Sequence, residues 1–125
     1  MIATKCAAIL IALATTASQA FAVVTPLDCA TTRVIITEGK SSRAKQEIYF
    51  YVDDSAKTIA FADGTRLRVI RFDKAAISAE HDDMRYEFNR VDNTLTYAGS
   101  KTVGNITVIT VGSGQCGIAT DNSAD

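Results

Sequence analysis

The chain reads as an all-β domain: an antiparallel meander of about eight short strands, curled into a small closed or nearly closed barrel, with a β-sandwich as the alternative arrangement. Three observations predict this. Apolar and polar residues alternate with period two from residue 31 onward, turn-forming residues recur at intervals of roughly 8 to 15, and no stretch after residue 22 holds a helical period. At 125 residues the chain has room for one domain.

The first segment reads as a secretory leader, residues 1–22. Lys5 is the only charge before Asp28, residues 6–14 are an apolar run, and Ala20-Phe21-Ala22 fits a small-x-small cleavage site. The apolar run is about half the roughly 20 residues a membrane span needs, so no span is expected in the mature chain. Asp28 before Cys29 is wrong for lipoprotein processing. Removing the leader takes Lys5 and Cys6 with it, leaving 12 basic against 14 acidic residues and two cysteines, Cys29 and Cys116. Export with two remaining cysteines predicts one disulfide in an oxidising compartment, periplasmic or extracellular. A bond closing so much of the chain is worth at most about 4–5 kcal/mol through the entropy of the unfolded state.

The β-domain is expected over residues 23–116, with a flexible tail over 117–125. The strands fall at about 31–37, 45–52, 57–62, 65–72, 76–80, 84–89, 94–98 and 105–111, with loops at 38–44 and 99–104 among the connections. In the first of three hairpins, a four-residue loop at 53–56 sets Phe50 opposite Ile59 and Ile48 opposite Phe61. In the second, a two-residue Asp63-Gly64 turn would put arginines on the core face. A three-residue loop, Ala62-Asp63-Gly64, instead pairs Phe61 with Thr65 and Ile59 with Leu67, and sets Gly64 where φ must be positive. In the third, a four-residue loop at 90–93 sets Phe88 against Leu95 and Tyr86 against Tyr97. The alternation changes parity at Val69-Ile70-Arg71-Phe72, which predicts a bulge. The expected core is Val34, Ile36, Ile48, Phe50, Val52, Ile59, Phe61, Leu67, Val69, Ile77, Met84, Tyr86, Phe88, Leu95, Tyr97, Ile106 and Val108. Pairing of the first strand with the last, held by Cys29 and Cys116, would close the barrel.

Composition narrows the function. Near-balanced charge lacks the basic surplus that nucleic-acid phosphates require. A single histidine leaves no multi-histidine metal centre, and no cofactor motif is present. His81-Asp82-Asp83 is the one cluster that invites a catalytic reading, and it reads better as a polar turn. No catalytic residue and no metal ligand is assigned, and the chain is not expected to be an enzyme. One outward face is more informative. Tyr49 and Tyr51 form one ridge, Thr58, Ala60 and Ala62 a floor of small residues, and Arg66 and Arg68 a second ridge. Tyrosine and arginine are the residue types that anchor interfaces.

Tyr51-Val52-Asp53-Asp54, Lys57-Thr58-Ile59 with Phe61-Ala62-Asp63-Gly64, Arg71-Phe72-Asp73, Ile77-Ser78-Ala79, Tyr86-Glu87-Phe88-Asn89-Arg90, Leu95-Thr96-Tyr97-Ala98 and Gly112-Ser113-Gly114 before Cys116 carry a resemblance. In these, the chain resembles small secreted proteins of rhizobia-like alphaproteobacteria, which implies a secreted β-domain and no particular activity. It is also similar, in export, size, strand pattern and terminal cysteines, to periplasmic lysozyme inhibitors built on a small eight-stranded barrel. Ile77-Ser78-Ala79 and Met84-Arg85-Tyr86 echo that family's inhibitory Ser-Gly-x-x-Tyr segment, but without the glycine and with different spacing, so no inhibitory residue is carried over. The expected function is an exported, non-enzymatic binding module, monomeric or a small homo-oligomer, for a protein or envelope component. A hydrolase inhibitor and a small-ligand carrier are the alternatives.

Overall fold

The computed structural model describes residues 24–119. The expected leader at 1–22 and residues 120–125 of the expected tail lie outside them. Among the described residues there is no helix. Eight strands run β1 (Val24–Thr37), β2 (Lys40–Asp53), β3 (Thr58–Phe61), β4 (Arg68–Phe72), β5 (Ala76–His81), β6 (Met84–Asn89), β7 (Thr94–Val103) and β8 (Ile106–Ile118). They form one antiparallel sheet in the order β3-β2-β1-β8-β7-β6-β5-β4, curled into a nearly closed barrel.

The first and last strands do pair, from Leu27↔Ile118 to Thr37↔Val108. Cys29 and Cys116 face each other directly in that ladder and are joined by the disulfide. The barrel therefore closes at a different seam, inside the β3–β4 hairpin. There the contact is brief: Phe61 N–H donates to Thr65 O at 2.8 Å, Leu67 N–H donates to Ile59 O at 3.0 Å, and Ala60 bridges Arg66. This is the three-residue-loop register, with Gly64 at φ 93°. Beyond it the expected bulge falls between Val69 and Arg71 and turns the strand away from β3.

The third hairpin also has its expected register, Phe88↔Leu95 and Tyr86↔Tyr97. The first does not. Phe50 pairs with Phe61 and Val52 with Ile59, two residues from the expected pairing. The loop is 54–57, held by Ala56 N–H donating to Asp53 Oδ1 at 3.0 Å and by Lys57 at φ 56°. An even shift keeps each side chain on its face, so the apolar surface still points inward.

The expected strand ends need four corrections. The strand expected at 65–72 begins only at Arg68, with Arg66 making an isolated bridge to Ala60. Residues 40–44 and 99–103 are strand rather than loop, joined to their partners by two-residue turns at Glu38-Gly39 and Gly104-Asn105. β1 begins seven residues earlier than expected, at Val24. Gly117 and Ile118 belong to β8 rather than to the tail, and Ala119 N–H donates to Pro26 O at 2.9 Å.

The core is Leu27, Cys29, Phe50, Val52, Ile59, Leu67, Ile77, Ala79, Phe88, Leu95, Tyr97 and Cys116, with Ile48, Phe61, Val69, Phe72, Met84 and Tyr86 packed against it. Of the expected core, Ile106 is exposed and Val34, Ile36 and Val108 are only partly covered. Ile106 and Val108 keep the inward parity of Cys116 but lie where β1, β2, β7 and β8 run on past the ends of β3 to β6, so no opposite wall covers them; Val34 and Ile36 have the opposite parity to buried Leu27, Cys29 and Thr31 and stand on the outer face. Inside, Phe50, Phe61, Tyr86 and Tyr97 pack ring on ring, with centroids 5.5–5.9 Å apart. The interior at that level is occupied by side chains, as a small eight-stranded barrel requires.

Candidate functional site

The outward ridge residues are brought to one face. Tyr51 pairs with Ala60, and Ala60 bridges Arg66, so the three form a row across adjacent strands. Two strand spacings separate tyrosine from arginine, about 9–10 Å. Ala60 between them raises no side chain beyond a methyl. Tyr49 and Tyr51 are each 46% exposed. Arg66 has no carboxylate within ion-pair distance among the described residues.

The other two members are more encumbered. Arg68 is paired with Glu80 across the β4–β5 ladder. Tyr49 donates to Glu47 Oε2 at 3.0 Å, and Asp28 lies opposite it on β1. That hydrogen bond, followed by the Asp28 charge, raises the Tyr49 phenol above its ordinary value. Asp28 is itself raised, by loss of solvation and then by the neighbouring Glu47 carboxylate. The tyrosine ridge thus carries an acidic flank and the arginine ridge a neutralised end, leaving Tyr51 and Arg66 as its two unpaired anchors. Sequence reasoning missed the acidic flank because Asp28 precedes the strand it expected; the alternation that continues through Leu27 and Cys29 was the available signal.

The remaining candidates separate from this face. Asp82 and Asp83 form the two-residue β5–β6 turn after His81, the last residue of β5, with Asp82 at φ 53° and His81 Nε2 3.5 Å from Asp82. The His81 ring stacks edge-on against Phe61 at 5.5 Å. Among the described residues no three His, Cys, Asp or Glu side chains cluster as a metal site would need. Ser78 is buried and donates to Glu87 Oε1 at 2.6 Å, while Tyr86 points into the barrel. Ser78 stands on the outer face but is covered and tied to Glu87, so the segment that echoes an inhibitory loop leaves neither side chain free at the surface.

At the barrel mouth a polar network caps the core. Thr31 Oγ1 donates to Gln46 O at 2.7 Å and shares a 2.9 Å hydrogen bond with the Tyr97 hydroxyl. Arg33 points inward here and donates to Gln46 Oε1 at 3.2 Å. Above it an open cleft of about 360 Å³ lies between the β5–β6 turn and the overhanging β7–β8 hairpin, lined by Met84, Val103, Val108, Lys101 and Thr110 among others. No helix among the described residues is long and apolar enough to cross a membrane. Compared with protein-family models, with curated proteins and with solved structures, the chain shows no match.

Proposed function

We propose that this chain is an exported, non-enzymatic binding module that takes a protein or envelope component on the face carrying Tyr51 and Arg66, with Tyr49 and Arg68 at its margins. The observation that carries the reading is the row Tyr51·Ala60·Arg66: two anchor-type side chains standing either side of a methyl floor, exposed and without an internal partner. A flat aromatic and a guanidinium fork across a shallow floor suit an interface hot spot, where each contributes large contact area or directional hydrogen bonds. The cross-strand disulfide fits an oxidising, exported setting.

The test is capture from the exported fraction of the native host on immobilised protein, wild type against Tyr51→Ala/Arg66→Ala. Both positions are exposed, so the fold is retained, which circular dichroism checks. A component held by the wild type is expected to bind the double variant at least about 30-fold more weakly, the loss typical of one hot-spot residue. Equal retention, or no retained component, rejects this face.

A further inference from the structure

The second surface lies at the opposite end of β2 from Tyr51. Past the barrel, β1, β2, β7 and β8 continue together as a four-stranded ribbon. Its registers define rows. Lys40·Thr37·Val108·Lys101 is one, with a lysine on each flanking strand. Two residues further out, about 7 Å, the ribbon ends in the pair Val103↔Ile106, 66% and 42% exposed. Behind the lysine row, the opposite face carries Ile36 against Ile109 and Val34 against Val111. Ile109 and Val111 are 40% and 37% exposed. Aliphatic side chains therefore stand on both faces of the ribbon.

Charge divides the same way. Residues 31–46 and 99–111 hold Arg33, Lys40, Arg43, Lys45 and Lys101 against Glu38 alone, a net of +4. The other described residues hold seven cations against eleven carboxylates, a net of −4. Among the described residues, none of the five ribbon cations is ion-paired.

We infer that this ribbon docks tip-first on the surface of an anionic phospholipid bilayer. The order of residues along the ribbon matches the order of layers in that surface. An apolar pair leads, where it meets the acyl boundary. Lysines follow about 7 Å behind, where their ammonium groups meet headgroup phosphates. Arg43 and Lys45 lie further back on the flanking strand, within reach of the surface potential. The two-sided apolar surface favours this occupant over a protein partner. A protein laid on one face leaves the other wet, whereas a tip entering the interface is surrounded on both. The net-negative body lies behind the ribbon, with Asp82 and Asp83 of the β5–β6 turn lining the same cleft as Lys101 and Val103.

Flotation with phosphatidylglycerol-rich and with pure phosphatidylcholine vesicles tests this on the disulfide-bonded mature chain. The wild type is expected to float with the anionic vesicles, to stay behind with the zwitterionic ones, and to release as salt rises. Lys40→Gln/Lys101→Gln is expected to lower partitioning about 25-fold, roughly fivefold for each cation. Val103→Ser/Ile106→Ser is expected to lower it about tenfold through lost apolar contact. Tyr51→Ala/Arg66→Ala is expected to float like the wild type, which keeps this result separate from that of the other face. The inference is overturned if the wild type does not float, if it floats equally with both vesicles, or if both ribbon variants float unchanged. A dimer in sedimentation velocity that Val103→Ser/Ile106→Ser dissolves would also overturn it, by assigning the tip to a second copy of the chain.

Discussion

Gly112 and Gly114 face inward on β8, and what stands over them decides how much room that wall has. A β-carbon on Gly112 would fall 2.1 Å from Tyr97 Cζ, a ring pinned by its hydroxyl to Thr31. One on Gly114 would fall 1.9 Å from Ala30 O and 2.6 Å from Thr31 Cα, where only the strands themselves can move. Gly112→Ala is therefore expected to cost about 1–3 kcal/mol, the usual range for overpacking a filled core. Gly114→Ala is expected to cost more, because backbone yields less readily than a ring. Urea midpoints read at constant slope check both the values and their order. Neither glycine announces this role in the sequence, where Gly112-Ser113-Gly114 reads as a slack approach to Cys116. The outward direction of Tyr49 and Tyr51 was legible from parity alone. The neutralisation of Arg68 by Glu80 was not, since it depends on which residue of β5 the bulge at Ile70 sets opposite.

Parity explains which hairpins could be read. At 62–64 the competing registers differ by one residue, so the wrong one drives Arg66 and Arg68 into the core and can be rejected. At 53–58 they differ by two, both bury Phe50, and the apolar pattern is silent. Turn chemistry then decides, and it carries no signal there because the left-handed position is filled by Lys57 rather than glycine or asparagine. The extended strands were missed for a related reason. In 40–45 the two faces carry Lys40, Ser42 and Ala44, and Ser41, Arg43 and Lys45, so a strand wet on both sides shows no alternation. The β4–β5 turn, by contrast, rests on one readable residue. Asp73 Oδ1 accepts from Ala75 N–H at 2.8 Å and Ala76 N–H at 2.9 Å, and Oδ2 accepts from Arg71 Nε at 2.7 Å. The Arg71 hydrogen bond first, then the two amides, hold its pKa at about 2, below the ordinary 3.8. A depressed carboxylate stabilises the fold fully above its unfolded value and stops doing so as pH falls through its folded one. The hairpin contribution is thus expected intact above about pH 4 and lost between there and about pH 2. Asp73→Asn should lower stability at pH 7 and flatten that acid limb, as acid titration of the urea midpoint would record.

At the scale of the molecule, the chain divides its labour along β1, β2, β7 and β8. Their proximal halves build the barrel wall, join the chain ends through β1–β8 pairing and carry the disulfide; their distal halves leave the core behind. Leu95 is 1% exposed in the proximal half of β7, whereas Val103 at its far end is 66% exposed. Stability should follow burial rather than strand length. Removing Leu95 to alanine opens a cavity in the packed interior and is expected to cost about 2–5 kcal/mol. Deleting Thr102, Val103, Ile106 and Thr107, so that Gly104-Asn105 joins Lys101 directly to Val108, removes two rows of hydrogen-bonded strand and the Thr102–Thr107 hydroxyl contact of 3.0 Å, yet no buried side chain. It is expected to cost under about 1 kcal/mol, in the range of surface changes. Paired urea melts of the two variants check this, with equal or inverted losses counting against it. A small loss would mean that the tip is not held in place by the needs of the fold. Two exposed aliphatics at the end of a cationic ribbon then require another cause, and contact with a surface outside the molecule supplies one.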